Sequence, residues 1–227
     1  MSKHFLKSTV RAITLVIITG AIVMPVLTYQ VGATVNDIVK GQKIANERNC
    51  SLCHDPTGKN DHPEAPYIVG QKKKYLIHQM KNFRQTQSTA SGMERVSERH
   101  HSFMDKQATL MSDSDIEKVA EYFSSFKCIP VQKNSNILLS APLETKKCAF
   151  CHGPTGINPY SLYPNIGGQK KSYLVRQIME FRDSGLHSGK TNIKDKRFNR
   201  MMAPSVINLT DKEIDDIANY YSKQSCE

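Results

Sequence analysis

The chain repeats itself. Residues 50–128 align without a gap onto residues 148–226 at a constant offset of 98. About a third of the paired positions are identical, far above chance for an ungapped run of this length. "CHDPTGKN" meets "CHGPTGIN", "PYIVGQKKKYLIHQMKNFR" meets "PNIGGQKKSYLVRQIMEFR", and "MSDSDIEKVAEYFSS" meets "LTDKEIDDIANYYSK". One ancestral unit has been duplicated, so the sequence reads as two like domains, 34–128 and 141–227, joined by a linker over 129–140. The unmatched "IPVQKNSNILLSAPLETKK" holds that linker and the start of the second domain.

The periodicity of both copies is helical. In "NDIVKGQKIANERNC" apolar or small residues recur at Ile38, Gly41, Ile44 and Ala45, one face of a helix. "YLIHQMKNFR" and "YLVRQIMEFR" place Leu76, Gln79, Met80 and Phe83 against Leu174, Gln177, Ile178 and Phe181. Before the last helix of each copy, Ser112 and Thr210 are good N-caps, and Asp115 and Glu213 three residues later complete a capping box. Ile116, Val119, Ala120 and Phe123, with Ile214, Ile217, Ala218 and Tyr221, then form the buried stripe. No alternating stretch is long enough for a sheet, so the fold class is all-α.

Both copies carry the same cysteine pattern, "CSLCH" at 50–54 and "CAFCH" at 148–152. Cysteine, two spacers, cysteine and histidine is the spacing of covalent c-type haem attachment. Cys50, Cys53, Cys148 and Cys151 would add to the haem vinyl groups, and His54 and His152 would bind iron. Zinc would need further cysteine or histidine in each domain. His62, His78, His100, His101 and His187 have no histidine at the offset. A thioredoxin-like motif would need a βαβ context, which is absent. Aromatic residues are sparse and tryptophan is missing; a buried porphyrin makes up part of the core such a chain lacks.

The other iron ligand follows from the repeat. Met104 falls on Met202, whereas Met80, Met93, Met111 and Met201 fall on other residue types. Methionine opposite histidine is a common electron-transfer pair and raises the potential. The sulfur ligands are therefore Met104 and Met202, with the adjacent Met201 as competitor to the second. Met111, which falls on Leu209, reads as core packing.

Residues 1–33 begin with Lys3, Lys7 and Arg11, continue through the apolar run "AITLVIITGAIVMPVL", and end on Val31 and Ala33 as a signal peptidase requires. This is a secretory signal cleaved after Ala33; an uncleaved membrane anchor is the rival. Both export the remainder, to the compartment that allows haem attachment and disulfides. The net charge of +10 allows nucleic acid, anionic membrane or an acidic protein as partner. Nucleic acid fits an exported haem protein poorly, whereas peripheral membrane association stays open.

With two attachment motifs, a matched methionine pair, and the "GQ…YL…Q…FR" and "SD.DI…A.YF" blocks, the chain resembles the dihaem cytochromes c4. The resemblance covers nearly all of 36–226. It implies two tandem class I cytochrome c domains, each wrapping one covalently bound haem c, facing each other across a pseudo-two-fold axis. It also implies that the Pro66 and Pro164 carbonyls hold the second ring nitrogen of His54 and His152. Tyr75, Arg84, Tyr173 and Arg182 are candidates for propionate binding or, equally, repeated surface residues that stabilise the fold.

The implied function is electron transfer in the periplasm, from a quinol-oxidising complex to a haem–copper terminal oxidase, without catalysis. An electron-accepting subunit of a flavin dehydrogenase is the alternative. A dihaem peroxidase or thiosulfate-oxidising enzyme would need an open or unusual iron site, against which the methionine pair argues. Lys72, Lys73, Lys74, Lys170 and Lys171 form matched basic clusters, either a docking surface for an acidic partner or a solvated face.

Two features fall outside the repeat's common pattern. Gly41 would let the first helix pack closely around Tyr122, but its offset partner is Leu139, and "SAPLETKKC" leaves little room for a full first helix in the second domain. Cys128 and Cys226 fall on each other, one spare thiol per domain. Equivalent positions near a two-fold axis can meet, so an interdomain disulfide is one reading; two free or intermolecular thiols are the other.

Overall fold

The computed structural model describes residues 35–57, 62, 64–85, 99–128, 140–186 and 197–225. The proposed signal segment, Met93, His187, Leu139 and Cys226 lie outside them. The described residues are helical, and their sole β pairing is an isolated antiparallel bridge between Arg99 and Arg197.

In the first domain α1 (Val35–Glu47) leads into a short 3₁₀ turn (Cys50–Leu52), followed by α2 (Lys73–Gln85), α3 (Ser102–Thr109) and α4 (Asp113–Ser124). Helix α1 crosses α4, and α2 packs on both α3 and α4. Gly41 makes the crossing: a Cβ there would stand 2.0 Å from the Lys118 carbonyl oxygen and 2.9 Å from Tyr122 Cβ. The core joins Ala45, Leu76, Ile116, Val119, Ala120, Tyr122 and Phe123, with Met111 beneath them.

The second domain contains α5 (Thr145–His152), α6 (Lys171–Leu186), α7 (Met202–Val206) and α8 (Asp211–Ser222), with α6 packed on α7 and α8. Its core is smaller, built on Leu174, Ile217, Ala218 and Tyr221. Among the described residues no helix crosses α8 as α1 crosses α4. The helix that ends on the second haem motif, α5, has only eight residues, in keeping with the short run of sequence there.

The last helices begin as expected. Asp115 N–H donates to Ser112 Oγ (3.1 Å) while Ser112 N–H donates to the Asp115 carboxylate (3.1 Å). Likewise Glu213 N–H donates to Thr210 Oγ1 (3.3 Å) while Thr210 N–H donates to the Glu213 carboxylate (2.7 Å). Each "GQKK" stretch is pinned to the end of its last helix: Gly70 N–H donates to Phe123 O and Gly168 N–H to Tyr221 O, both at 3.0 Å. Both glycines have left-handed backbones, φ 67° and 71°, a conformation glycine adopts without steric cost.

Those stretches also join the domains. Gln71 Nε2 donates to Asn165 O (2.8 Å) and its Oε1 accepts from Asn165 N–H (2.9 Å). At the related place Gln169 Nε2 donates to Tyr67 O (2.8 Å) and its Oε1 accepts from Tyr67 N–H (2.9 Å). Lys72 reaches the carbonyls of Asn158 and Tyr160, and Lys170 that of His62 (2.7 Å). Residues 62 and 160, 67 and 165, and 71 and 169 are each separated by the repeat offset, so the contacts obey a pseudo-two-fold axis.

Candidate functional site

The two histidines of the cysteine motifs are placed alike by different local structure. His54 follows the 3₁₀ turn, its N–H donating to Cys50 O (2.9 Å), whereas His152 ends α5. His54 Nδ1 donates to Pro66 O (2.9 Å) and His152 Nδ1 to Pro164 O (3.1 Å). This bond sets the tautomer and leaves Nε2 as the free lone pair. Burial pushes the His54 pKa down to about 4, with the Pro66 bond opposing and the Arg99 charge adding to the fall. Burial lowers that of His152 too, against the Pro164 bond and with Lys72 and Arg197 contributing. Both rings are therefore neutral near pH 7, the state a metal ligand requires.

Cys50, Cys53, Cys148 and Cys151 form no disulfide and lie half-buried beside their histidines. Burial pushes the thiols of Cys50 and Cys148 up. Between the cysteines lie Leu52 and Phe150, the latter 88 % exposed, apolar surface suited to a flat macrocycle.

Met104 and Met202 lie at the start of α3 and α7, short helices docked on α2 and α6. Their position is held by matched caps: His101 Nδ1 accepts from Met104 N–H (3.4 Å), and Asn199 Oδ1 accepts from Met202 N–H (3.1 Å). Met202 is half-buried, whereas Met201 is 55 % exposed.

Two arginines that sequence reasoning missed, Arg99 and Arg197, meet the candidate tyrosines between the domains. Arg99 donates to Tyr173 Oη and Arg197 to Tyr75 Oη, both at 2.8 Å and both across the domain boundary. Within its own domain each meets a glutamine, Gln79 or Gln177, and lies over a phenylalanine ring, Phe83 at 4.6 Å or Phe181 at 4.4 Å. Burial raises the Tyr173 pKa, but Arg99 and Arg197 outweigh it and hold the phenol below its ordinary value. One signal was available: between Arg84 and Met104, Arg99 is the single position identical in both copies.

Other candidates have different employment. Arg84 binds Asp113 (2.5 Å) and the Met111 carbonyl, and Arg182 binds Asp211 (2.7 Å) and the Leu209 carbonyl. These are the fold-stabilising surface contacts of the second reading. Of the lysine clusters, Lys72 and Lys170 serve the interface, Lys73 pairs with Glu121, and Lys171 pairs with Asp215 (2.8 Å). Cys128 is disulfide-bonded, and Cys226, its counterpart in the repeat, lies outside the described residues.

The residues fit a covalently held haem c in each domain: paired thiols, a neutral imidazole with one nitrogen engaged, and a methionine on a separate helix. Among the described residues no group of three or more histidine, cysteine, aspartate or glutamate side chains could hold another metal. The buried Tyr221 hydroxyl finds no hydrogen-bond partner there either, and Phe123 occupies its place in the first domain.

The family model described as Cytochrome c matches residues 38–127 and again 141–224. The chain belongs to the cytochrome c family, as two tandem domains. It is 30% identical to cytochrome c4 of Azotobacter vinelandii over 183 residues, 75% of this chain and 82% of that protein. Its fold is similar to reduced recombinant cytochrome c4 from Pseudomonas stutzeri, with TM-score 0.60 and 26% identity, covering 82% of this chain and 97% of the other. Within the family it is thus of the dihaem cytochrome c4 type, an electron carrier with two covalently bound haem c groups. The fold alone is shared with thiosulfate dehydrogenase (TsdBA) from Marichromatium purpuratum, at TM-score 0.61 and 21% identity, over 82% of this chain and 40% of that one.

Proposed function

We propose that the protein is a periplasmic respiratory carrier that takes electrons from a quinol-oxidising complex and delivers them to a haem–copper terminal oxidase. His54 with Met104 would hold one haem iron, and His152 with Met202 the other. Bound haem c supplies reversible one-electron exchange at iron. The chain's part would be to supply both ligands to each iron and so keep oxygen, peroxide and sulfur substrates from it. Pro66 and Pro164 orient the imidazoles, while His101 and Asn199 hold the methionine helices in register. The observation that carries this reading is that both domains match in three things: the histidine, the proline carbonyl that accepts from its Nδ1, and the side chain that accepts from the methionine N–H.

Export through residues 1–33 completes the proposal, and the net charge of +10 favours docking to acidic partner surfaces. The test is a pair of spectra, ferric and ferrous, of haem-counted protein with and without carbon monoxide. Two low-spin haems that ignore the gas are expected. A high-spin haem, or ready binding of carbon monoxide, would remove a proposed methionine from iron and return an enzymatic role.

A further inference from the structure

Tyr221 lies in the core of the second domain, 1 % exposed, and among the described residues its hydroxyl meets no hydrogen-bond partner. A buried hydroxyl left so has lost its bonds to water without replacement, and native proteins rarely tolerate it. The adjacent Tyr220 is satisfied, its hydroxyl donating to Pro154 O (3.1 Å). The Tyr221 ring is fixed in place: it packs edge-on to Tyr220, with centroids 5.1 Å apart, and lies under Gly156, where a Cβ would stand 2.9 Å from its Cδ1. At the repeat offset stands Phe123, equally buried. The shape of the site therefore asks for an aromatic ring, and the hydroxyl needs a separate reason.

Cys148 packs on the cluster that holds Tyr221. Burial first, and then the nearby Cys148 sulfur, push the Tyr221 phenol up, so its hydroxyl keeps its proton near pH 7. The Cys148 thiol itself donates to Glu144 O (3.7 Å). Haem attachment ends that bond. The sulfur forms a C–S bond to one vinyl carbon, and the thiol hydrogen goes to the other. What is left is a sulfur that can only accept, beside a hydroxyl that lacks an acceptor.

We infer that Tyr221 is a hydrogen-bond donor to the Cys148 thioether of the second haem, and that this bond raises the potential of that haem alone. The inference rests on haem attachment at Cys148, and not on the methionine ligands or the redox partners. A donor at a sulfur bound to the macrocycle draws electron density from it and favours the reduced iron; hydrogen bonding around the group is one of the protein's levers on haem potential. Phe123 offers no such donor to the first haem. At this position the two sites differ by a single oxygen atom.

The experiment is a spectroelectrochemical titration of the holoprotein and its Tyr221→Phe variant, with resonance Raman spectra of the thioether C–S stretching modes in H2O and D2O. Tyr221→Phe reproduces the side chain of the first domain, so the fold is expected to persist. One midpoint potential should fall while the other stays. In the unmodified protein one C–S mode should shift on transfer to D2O, and in the variant that shift should vanish, a change that loss of packing alone does not produce. Unmoved potentials, two potentials that move together, or C–S modes indifferent to D2O in the unmodified protein would each overturn the donor. Mass spectrometry of the tryptic haem peptides should find Cys148 and Cys151 on one haem. An unmodified Cys148 would overturn the attachment itself, so the two failures are distinguishable.

Discussion

Gln71 holds both backbone polar groups of Asn165, donating to the carbonyl at 2.8 Å and accepting from the N–H at 2.9 Å. Gln169 repeats this on Tyr67. A side-chain amide used this way mimics one rung of a β-ladder and satisfies backbone groups that the interface removes from water. Orientation between the domains is thus set by directional bonds.

Removing one such side chain leaves two half-buried backbone groups unsatisfied. Gln71→Ala or Gln169→Ala is expected to destabilise the protein by about 1–3 kcal/mol, with less loss from Glu than from Ala. Chemical denaturation followed by circular dichroism measures it, and a loss within error for both Ala variants would show that the clasps carry no weight.

Methionine assignments are checked one at a time. Met104→Ala and Met202→Ala should each convert one of two haems to a high-spin, carbon-monoxide-binding form. Met201→Ala should leave the spectrum unchanged, since that side chain is largely exposed. If Met201→Ala alone opened the second haem, the ligand would be the neighbouring residue.

Gly41→Ala should destabilise the first domain selectively. The new methyl would lie 2.0 Å from the Lys118 carbonyl oxygen, a backbone atom that cannot swing aside, and overpacking of this kind costs about 1–3 kcal/mol. Thermal melts monitored by the two haem spectra should lose their coincidence, the first domain melting earlier. Coincident and unshifted melts would show that α1 does not need its close crossing.

We propose that Cys128, which is disulfide-bonded, is joined to Cys226. Non-reducing peptide mapping should recover the linked peptides, and Cys128→Ser should lower stability by about 2–4 kcal/mol. Recovery of both as alkylatable thiols would exclude the pairing.

Acid stability follows from the caps. Asp113 is held below the ordinary carboxylate value by Lys81 and then Arg84, Asp115 by Ser112, and Glu213 by Thr210. Carboxylates with depressed folded values contribute stability above their unfolded pKa, about 4, which is lost as pH falls through the folded one. The melting temperature should therefore drop below about pH 4, less steeply in Asp113→Asn. A melting temperature that rose on acidification through this range would contradict the sign.

The duplication, the helical class, both capping boxes and the haem motifs are legible in the sequence because each rests on local chemistry: spacing, periodicity, or an identical residue at a constant offset. Even the core role of Met111 follows from its falling on Leu209. What the tertiary structure decided is where the repeated polar residues are used. Tyr75 and Tyr173 meet arginines of the opposite domain, Arg84 and Arg182 close on Asp113 and Asp211, and Lys72 and Lys170 bridge the domains. No spacing within one copy distinguishes these uses. A long polar side chain reaches solvent, its own domain or its neighbour with similar ease, and the choice is made only when two folded surfaces exclude water between them.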